Sequence, residues 1–292
     1  GPLSVNGRLI VQGEATILAY DAYNGQFLWK YENKEALRTG VFQNQNPGNL
    51  AASEDRLFHF LKDECFEVDA ATGKTVWETP RDEPTCWATP LITTDSRGRQ
   101  QVVMNGENAA RGYDLATGKE LWQCSGQTVR PCASAVAADG IAYIGSGFRG
   151  SFLGAFDLAG DGNLAGGKHV LWTRSQHTPD VASPLLSQGR LYYYKEKTGL
   201  LSCIDAASGT PHYETRRLPG MSRTYASPVA AGGHVYLTDR SGRIVVIKDA
   251  PTLEVVAEND MGEGVDATPA PVGDALFVRG ERHLFCVGPG RE

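Results

Sequence analysis

A nine-residue pattern returns along this chain at nearly constant spacing, and it limits the possible folds more than any other feature. Asp69 to Trp77 reads DAATGKTVW: an Asp ends an apolar run, a small-residue turn closes on Thr72-Gly73, and an apolar stretch brings a Trp eight places after the Asp. Asp21 to Trp29 (DAYNGQFLW), Asp114 to Trp122 (DLATGKELW) and Asp205 to Tyr213 (DAASGTPHY) keep the spacing. Asp157 to Trp172 keeps both ends around an insertion, and Asp249 to Ala257 is a degenerate copy. Four of the five Trp therefore occupy one repeat position, Trp29, Trp77, Trp122 and Trp172, with Tyr213 in their place in the fifth copy.

The residue types explain the pattern. An Asp at a strand end accepts backbone N–H bonds from the turn that follows, and Gly25, Gly73, Gly118 and Gly209 supply the left-handed conformation of a tight hairpin. The Trp then brings a large apolar surface to a fixed place in each repeat, where neighbouring repeats bury it.

Successive motif Asp residues lie 48, 45, 43, 48 and 44 residues apart. Each interval reads as four short strands. A small-residue segment opens the unit as its first strand, as in Ala88-Thr89-Pro90, Ala182-Ser183-Pro184, Ala226-Ser227-Pro228 and Ala267-Thr268-Pro269. Alternating β-rich runs such as RLYYY from Arg190 and HVYLT from His234 are second strands, third strands end in the motif Asp, and the Trp lies on the fourth. No stretch has helical periodicity. Four strands in about 40–50 residues is the signature of a β-propeller. The expected architecture is a single all-β domain over residues 1–292, with seven four-stranded units, the last stopping after its third strand near Val287.

Composition excludes several functions. The net charge of −6, with no Lys/Arg cluster, gives no footprint for nucleic acid, and no apolar run approaches the length of a membrane helix. Gly1-Pro2 reads as the scar of a cleaved tag, so any signal peptide or lipidation site would lie outside the chain. The six Cys form no CxxC and no adjacent pair, and the six His are scattered without ligand spacing. Cys203 and Cys286 share one repeat position and read as buried hydrophobes, while Cys124 and Cys132 flank a loop and are either free or paired. In Asp157–Gly167 (DLAGDGNLAGG), Asp157, Asp161 and Asn163 lack the alternate spacing and closing acid of a calcium loop, so the segment reads as a lengthened hairpin. No metal and no cofactor is expected.

The series Ala-Ser/Thr-Pro, Gly-x-hydrophobic-Tyr and Leu-x-x-hydrophobic-Asp-Ala-x-Thr-Gly-x-x-hydrophobic-Trp resembles the PQQ-like, or quinoprotein alcohol dehydrogenase-like, propeller repeat, and in particular its BamB-like group. The resemblance covers nearly the whole chain. It implies a bacterial cell-envelope setting, periplasmic or extracellular, and a family in which eight blades are common, so a further blade and a closing strand upstream are expected. In the quinoprotein enzymes of this family, the resemblance implies a quinone stacked between a Trp and a disulfide of adjacent Cys, beside a Ca²⁺ and a catalytic Asp. Those parts are missing from this sequence, and the repeat specifies fold more than function. The expected function is non-catalytic binding or scaffolding of a protein or glycan partner; the alternative is a quinoprotein dehydrogenase or a glycan-acting module.

In such a blade, the links between blades and the turns between second and third strands emerge on one face, where loops on a rigid scaffold are free to bind. The links supply Arg38, Asn44, Asn46, Trp87, Arg130, Asp180, Arg223, Tyr225 and Asp266, and the widest second-to-third turn supplies Arg149. Arg and aromatic residues dominate the energetic centres of interfaces, so this face is the expected site, suited to an anionic or carboxylate-bearing partner.

Overall fold

Each repeat folds as a sheet of consecutive antiparallel strands joined by tight turns. The computed structural model describes residues 2–13, 16–32, 50–61, 64–84, 86–195 and 197–288. The first sheet holds β1 (Leu3–Val5), β2 (Arg8–Gln12), β3 (Thr16–Asp21) and β4 (Phe27–Glu32). The second holds β5 (Ala51–Ser53), β6 (Arg56–Leu61), β7 (Glu64–Asp69) and β8 (Thr75–Pro80). The third holds β9 (Leu91–Thr94), β10 (Gln100–Met104), β11 (Ala110–Asp114) and β12 (Glu120–Cys124). The fourth holds β13 (Val136–Ala138), β14 (Ile141–Ser146), β15 (Phe152–Asp157) and, beyond the short β16 (Gly162–Asn163), β17 (Val170–Arg174). The fifth holds β18 (Leu185–Ser187), β19 (Arg190–Lys195), β20 (Leu200–Asp205) and β21 (Pro211–Arg217). The sixth holds β22 (Val229–Ala231), β23 (His234–Thr238), β24 (Arg243–Lys248) and β25 (Val255–Asp260). The seventh has three strands, β26 (Ala270–Val272), β27 (Ala275–Arg279) and β28 (Leu284–Val287). The fold is an all-β, seven-bladed β-propeller, with no helix among the described residues. Contacts gather the chain into two units, Gly1–Ala142 with Asp157–Val170 and Tyr143–Phe156 with Leu171–Glu292.

The repeat motif fastens one sheet to the next. Its Asp caps its own turn: Asp69 Oδ1 accepts the Thr72 N–H at 2.7 Å and the Thr72 hydroxyl at 2.7 Å, and Asp205 does the same with Ser208 at 2.8 and 2.7 Å. Its Trp reaches into the following repeat. In the first unit the Trp29 indole N–H donates to Ala70 O at 3.0 Å and that of Trp77 to Leu115 O at 3.2 Å; in the second, Trp172 donates to Ala206 O at 2.9 Å. Each acceptor is the residue after the next motif Asp, and each indole lies on the next motif Gly. A Cβ on Gly73 would stand 2.6 Å from Trp29 Cε3, and one on Gly209 2.7 Å from Trp172 Cδ2. The glycine thus answers two demands, a positive φ (72° at Gly73) and a flat seat for an aromatic ring. A register shift in the third strand, between Ala19 and Tyr20, between Glu67 and Val68 and between Gly112 and Tyr113, recurs directly beside the residue that faces the Trp.

The cores lie between successive sheets. Ile10, Ile17, Trp29, Leu57, Phe66 and Val68 join the first two, and Tyr192, Leu201, Cys203, Val235, Leu237 and Val245 join the fifth and sixth. In the fourth strands β4 and β8 the single buried residue is the Trp, among exposed and half-buried neighbours.

Several expectations are corrected. The Ala-x-Pro segments precede the first strands, which begin at Leu91, Leu185, Val229 and Ala270. The missing donor of Pro suits that place, and the middle residue is used to tie neighbouring repeats: Thr89 N–H donates to Ser134 Oγ at 2.9 Å, Ser183 N–H to Ser227 Oγ at 2.9 Å and Ser227 N–H to Thr268 Oγ1 at 3.0 Å. Trp172 is half-buried, whereas Trp29, Trp77 and Trp122 are buried. Cys203 is buried, with β20 flanked on both sides in its sheet, but Cys286 is exposed on β28, the outermost strand of the seventh sheet among the described residues. Cys124 and Cys132 are free thiols.

The insertion after Asp157 is more than a long hairpin. It contributes β16, which pairs in parallel with β12 of the third sheet. Arg99 holds it there, donating to Leu158 O and Gly160 O at 3.2 Å each and to Asp161 Oδ1 at 2.6 Å, while the Asp157 carboxylate accepts from His169 Nδ1–H at 2.8 Å. Trp122 donates instead to Gln101 Oε1 at 2.7 Å within its own sheet, and Gln101 Nε2–H carries the tie on to Leu158 O at 2.9 Å, the residue after the next motif Asp.

Candidate functional site

The two ends of each sheet are built differently. At one end, the turn between first and second strands is tied to the motif turn, by Ala70 N–H to Asp55 O at 2.7 Å in the second sheet and Ala206 N–H to Gly189 O at 2.9 Å in the fifth. The opposite end carries the links between sheets and the turns between second and third strands, where the Ala-Ser/Thr-Pro segment is the recurring pattern and the residues before it vary. In the second unit, Thr224 N–H donates to Lys197 O at 3.4 Å, Arg240 N–H to Arg223 O at 2.8 Å and Val265 N–H to Arg240 O at 3.3 Å, so links and turns interleave.

Their side chains meet on Tyr225. The Arg240 guanidinium stands 4.9 Å from the ring centroid, the Lys197 ammonium 5.6 Å and the Arg223 guanidinium 5.9 Å, all within cation–π reach. Arg223 also donates to the Tyr225 hydroxyl at 3.3 Å. Asp266, from the next link, lies beside Arg240, with Nε to Oδ1 at 3.0 Å and to Oδ2 at 3.2 Å. Tyr225 and Lys197 are half-buried and the other three exposed, so the group is open to a ligand.

Buried carboxylates fix this end. Asp239 Oδ1 caps its turn at Ser241 N–H (2.9 Å), and Oδ2 accepts Ser222 N–H from the link at 3.1 Å, which sets Arg223 against Arg240. Glu263 accepts the Arg282 N–H at 3.2 Å, the His283 N–H at 2.9 Å and Arg282 Nε–H at 3.1 Å, with His283 Nδ1 at 3.0 Å. Burial works against its charge, but these donors overcome it and bring the Glu263 carboxyl down to about 2. In the first unit Glu83 plays the same part, accepting Asn108 N–H at 2.9 Å and Ala109 N–H at 3.1 Å and pairing with Arg111.

Of the residues expected from sequence, Arg223, Tyr225 and Asp266 come together, joined by Lys197 and Arg240, which sequence reasoning missed. Arg149 stacks over Phe148 at 5.3 Å in the turn before β15, and Asp180 is buried beside that turn rather than exposed. Trp87 and Arg130 belong to the first unit: Trp87 is half-buried with its backbone N–H on Pro131 O at 2.9 Å, and the exposed Arg130 donates its N–H to Glu107 Oε2 at 3.1 Å. Arg38, Asn44 and Asn46 lie outside the described residues.

The side chains do not fit a quinone. The adjacent-Cys disulfide that would cover it has no counterpart among the free thiols, and the motif indoles are spent on sheet-to-sheet contacts. Burial pushes the Cys65 and Cys86 thiols up to about 12, with Arg81 pulling the other way, so neither is a nucleophile at neutral pH.

The family described as outer membrane protein assembly factor BamB matches the chain over residues 13–168 and 163–282. Among solved structures, the chain is similar to BamB from Moraxella catarrhalis, with 16% identity and a TM-score of 0.58 over 96% of this chain and 90% of that one. It is also similar to the computationally designed Ika8 protein, with 14% identity and a TM-score of 0.52 over 98% and 94%. A third is the dihydro-heme d1 dehydrogenase NirN, with 12% identity and a TM-score of 0.63 over 98% of this chain but 62% of that one. At these identities the likenesses carry the fold alone. No curated protein matches the chain.

Proposed function

The chain belongs to the outer membrane protein assembly factor BamB family, and from that premise we propose that it is a non-catalytic binding or scaffolding propeller of the bacterial cell envelope. Its partner is engaged by the sheet ends that carry the links and the second-to-third turns. The observation that supports this most is the convergence of Lys197, Arg223, Tyr225, Arg240 and Asp266 from separate links and turns on one open patch. Arg side chains around an aromatic ring, on links and turns carried by rigid strands, are what interface centres are made of.

The test uses a photo-cross-linking residue placed singly at Arg223 or at Ala207, which is exposed in the motif turn at the other end of its sheet. In cells of the source, adducts from position 223 and none from 207 are the expected result. Adducts from 207 alone would put the partner at the wrong sheet end and sink the reading. Calorimetric titration with pyrroloquinoline quinone and Ca²⁺ should give no saturable heat; a stoichiometric complex would move the assignment to a dehydrogenase.

A further inference from the structure

The cluster on Tyr225 is electrostatically unbalanced. Three cations surround one ring, and among the described residues a single carboxylate, Asp266, pairs with them, on Arg240. Neither Lys197 nor Arg223 is in an ion pair among the described residues. This gathering of like charge stands out in a chain of net charge −6. Like charges held together around a half-buried ring repel, and an anion that enters between them relieves the repulsion while it gains charge-assisted hydrogen bonds.

We infer that Lys197, Arg223 and Arg240 form a carboxylate-binding site for an acidic, extended polypeptide segment of a partner, in which Asp266 occupies Arg240 as an internal stand-in for the ligand. The inference rests on the reading above that this sheet end is the binding end. Three features favour spaced carboxylates. The cations come from separate elements, the turn before β20, the link before β22 and the turn before β24, so they offer several shallow contacts rather than one cradle. Arg240 already shows the geometry, with both Asp266 oxygens within 3.2 Å of its Nε. Asp266 and Glu281 are exposed acids next along the chain at this end, tied to it by Glu281 N–H on Gly264 O at 3.0 Å, and they would repel a broad anionic surface such as a charged bilayer while leaving room for a narrow segment.

The probe is a fluorescein-labelled hexaglutamate peptide, followed by polarisation at low and at physiological salt, with inorganic phosphate as competitor. The wild-type protein is expected to bind it in a salt-sensitive manner. Lys197→Ala/Arg223→Ala should weaken binding by about tenfold or more, on the scale of lost charge-assisted hydrogen bonds. Asp266→Asn, which frees Arg240, should tighten it by about threefold, the worth of an exposed ion pair. Since these side chains are exposed or half-buried, all variants should melt like wild type, and this is checked by circular dichroism. Absence of binding in both wild type and Asp266→Asn, or binding that the double variant leaves intact, overturns the inference. Displacement by phosphate at concentrations equal to the peptide overturns the assignment to carboxylates. Failure with hexaglutamate while position 223 still cross-links a partner removes the ligand class alone; cross-linking only from position 207 removes the binding end itself.

Discussion

The seating of each motif Trp on the next motif Gly can be tested with a matched pair of substitutions. Gly25 and Gly73 occupy the same motif position with nearly the same φ, 73° and 72°. They differ in what lies above them: a Cβ on Gly25 meets nothing within 4 Å, whereas one on Gly73 stands 2.6 Å from Trp29 Cε3 and 2.8 Å from Cδ2. Gly→Ala at either site places a Cβ in the left-handed region, at about 1–2 kcal/mol, partly offset by about 0.4–1 kcal/mol from the stiffer unfolded chain. Gly25→Ala should therefore cost about 1 kcal/mol or less. Gly73→Ala must in addition lift an indole that is 8% exposed and bonded to Ala70 O, an overpacking change of about 1–3 kcal/mol, for a total of about 2–4 kcal/mol. Urea midpoints of the two variants read the difference, and the Trp emission should shift to the red only in Gly73→Ala. Equal midpoints would refute the argument, since the backbone strain would then account for both and the indole would not bear on the glycine.

Trp77→Ala should destabilise by about 3–5 kcal/mol, the scale for a large buried aromatic, and Trp172→Ala by less because that ring is half-buried; calorimetric melting ranks them, and the reverse order would contradict the burial argument. Arg99→Ala should release the insertion, seen as faster amide exchange at Leu164, which bonds to Gln123 O at 2.9 Å, with the β10 amides unchanged; equal rates at Leu164 would show that β16 holds itself. Because the Glu263 carboxyl is lowered from 4.5 to about 2, its contribution is complete above the unfolded value and is lost as pH falls from about 4.5 through about 2. Glu263→Gln should flatten that part of the stability profile between wild-type pH limits, and an unchanged acid limb would show that its partners do not stabilise the charge.

The fold was legible because the motif names its own contacts. An Asp that caps, a Gly that turns and an aromatic at fixed spacing are local requirements, and all three read correctly as a hairpin. Burial was less legible where it depends on neighbours. Trp172 and Cys286 carry the same residue types as buried counterparts, but the one belongs to a sheet with a long insertion and the other to a strand that is outermost in its sheet among the described residues. The degenerate copy is the most instructive. Without a Trp at Tyr213 to reach Ala250, the hydroxyl of Tyr192 takes over, donating to Asp249 Oδ1 at 2.8 Å with Ala250 O beside it at 3.2 Å. Asp249 no longer caps its own turn and instead accepts from Ser187 Oγ at 2.6 Å and Arg190 at 2.7 Å. A polar fastening stands where the others have an indole on a glycine, so what recurs is the tie between one sheet and the next, and a pattern search for Trp sees only one way of making it.

The same logic explains why the candidate site was half legible. The recurring fastenings sit in the strands, at the motif turns and in the Ala-x-Pro segments, which leaves the rest of the links and the second-to-third turns without a shared pattern. Arg223, Tyr225 and Asp266 could be picked out because each stands just before an Ala-x-Pro segment, a landmark the repeat provides. Lys197 and Arg240 stand before no such landmark; the sequence between β19 and β20 reads EKTG and that between β23 and β24 reads DRSG, a likeness that shows only when these turns are set side by side. Had the second-to-third turns been aligned by their place between strands, Glu107, Arg149, Lys197, Arg240 and Glu281 would have emerged as a series, with the cations in its middle. That separation has an energetic consequence. Exposed side chains at the link end can change charge at little cost to the sheets, since surface ion pairs such as Arg240–Asp266 contribute about 0–1 kcal/mol, whereas at the motif end a glycine such as Gly73 is held by the indole seated on it. A propeller built this way can keep one fold while a handful of link and turn positions vary, and the cations on Tyr225 stand at such positions.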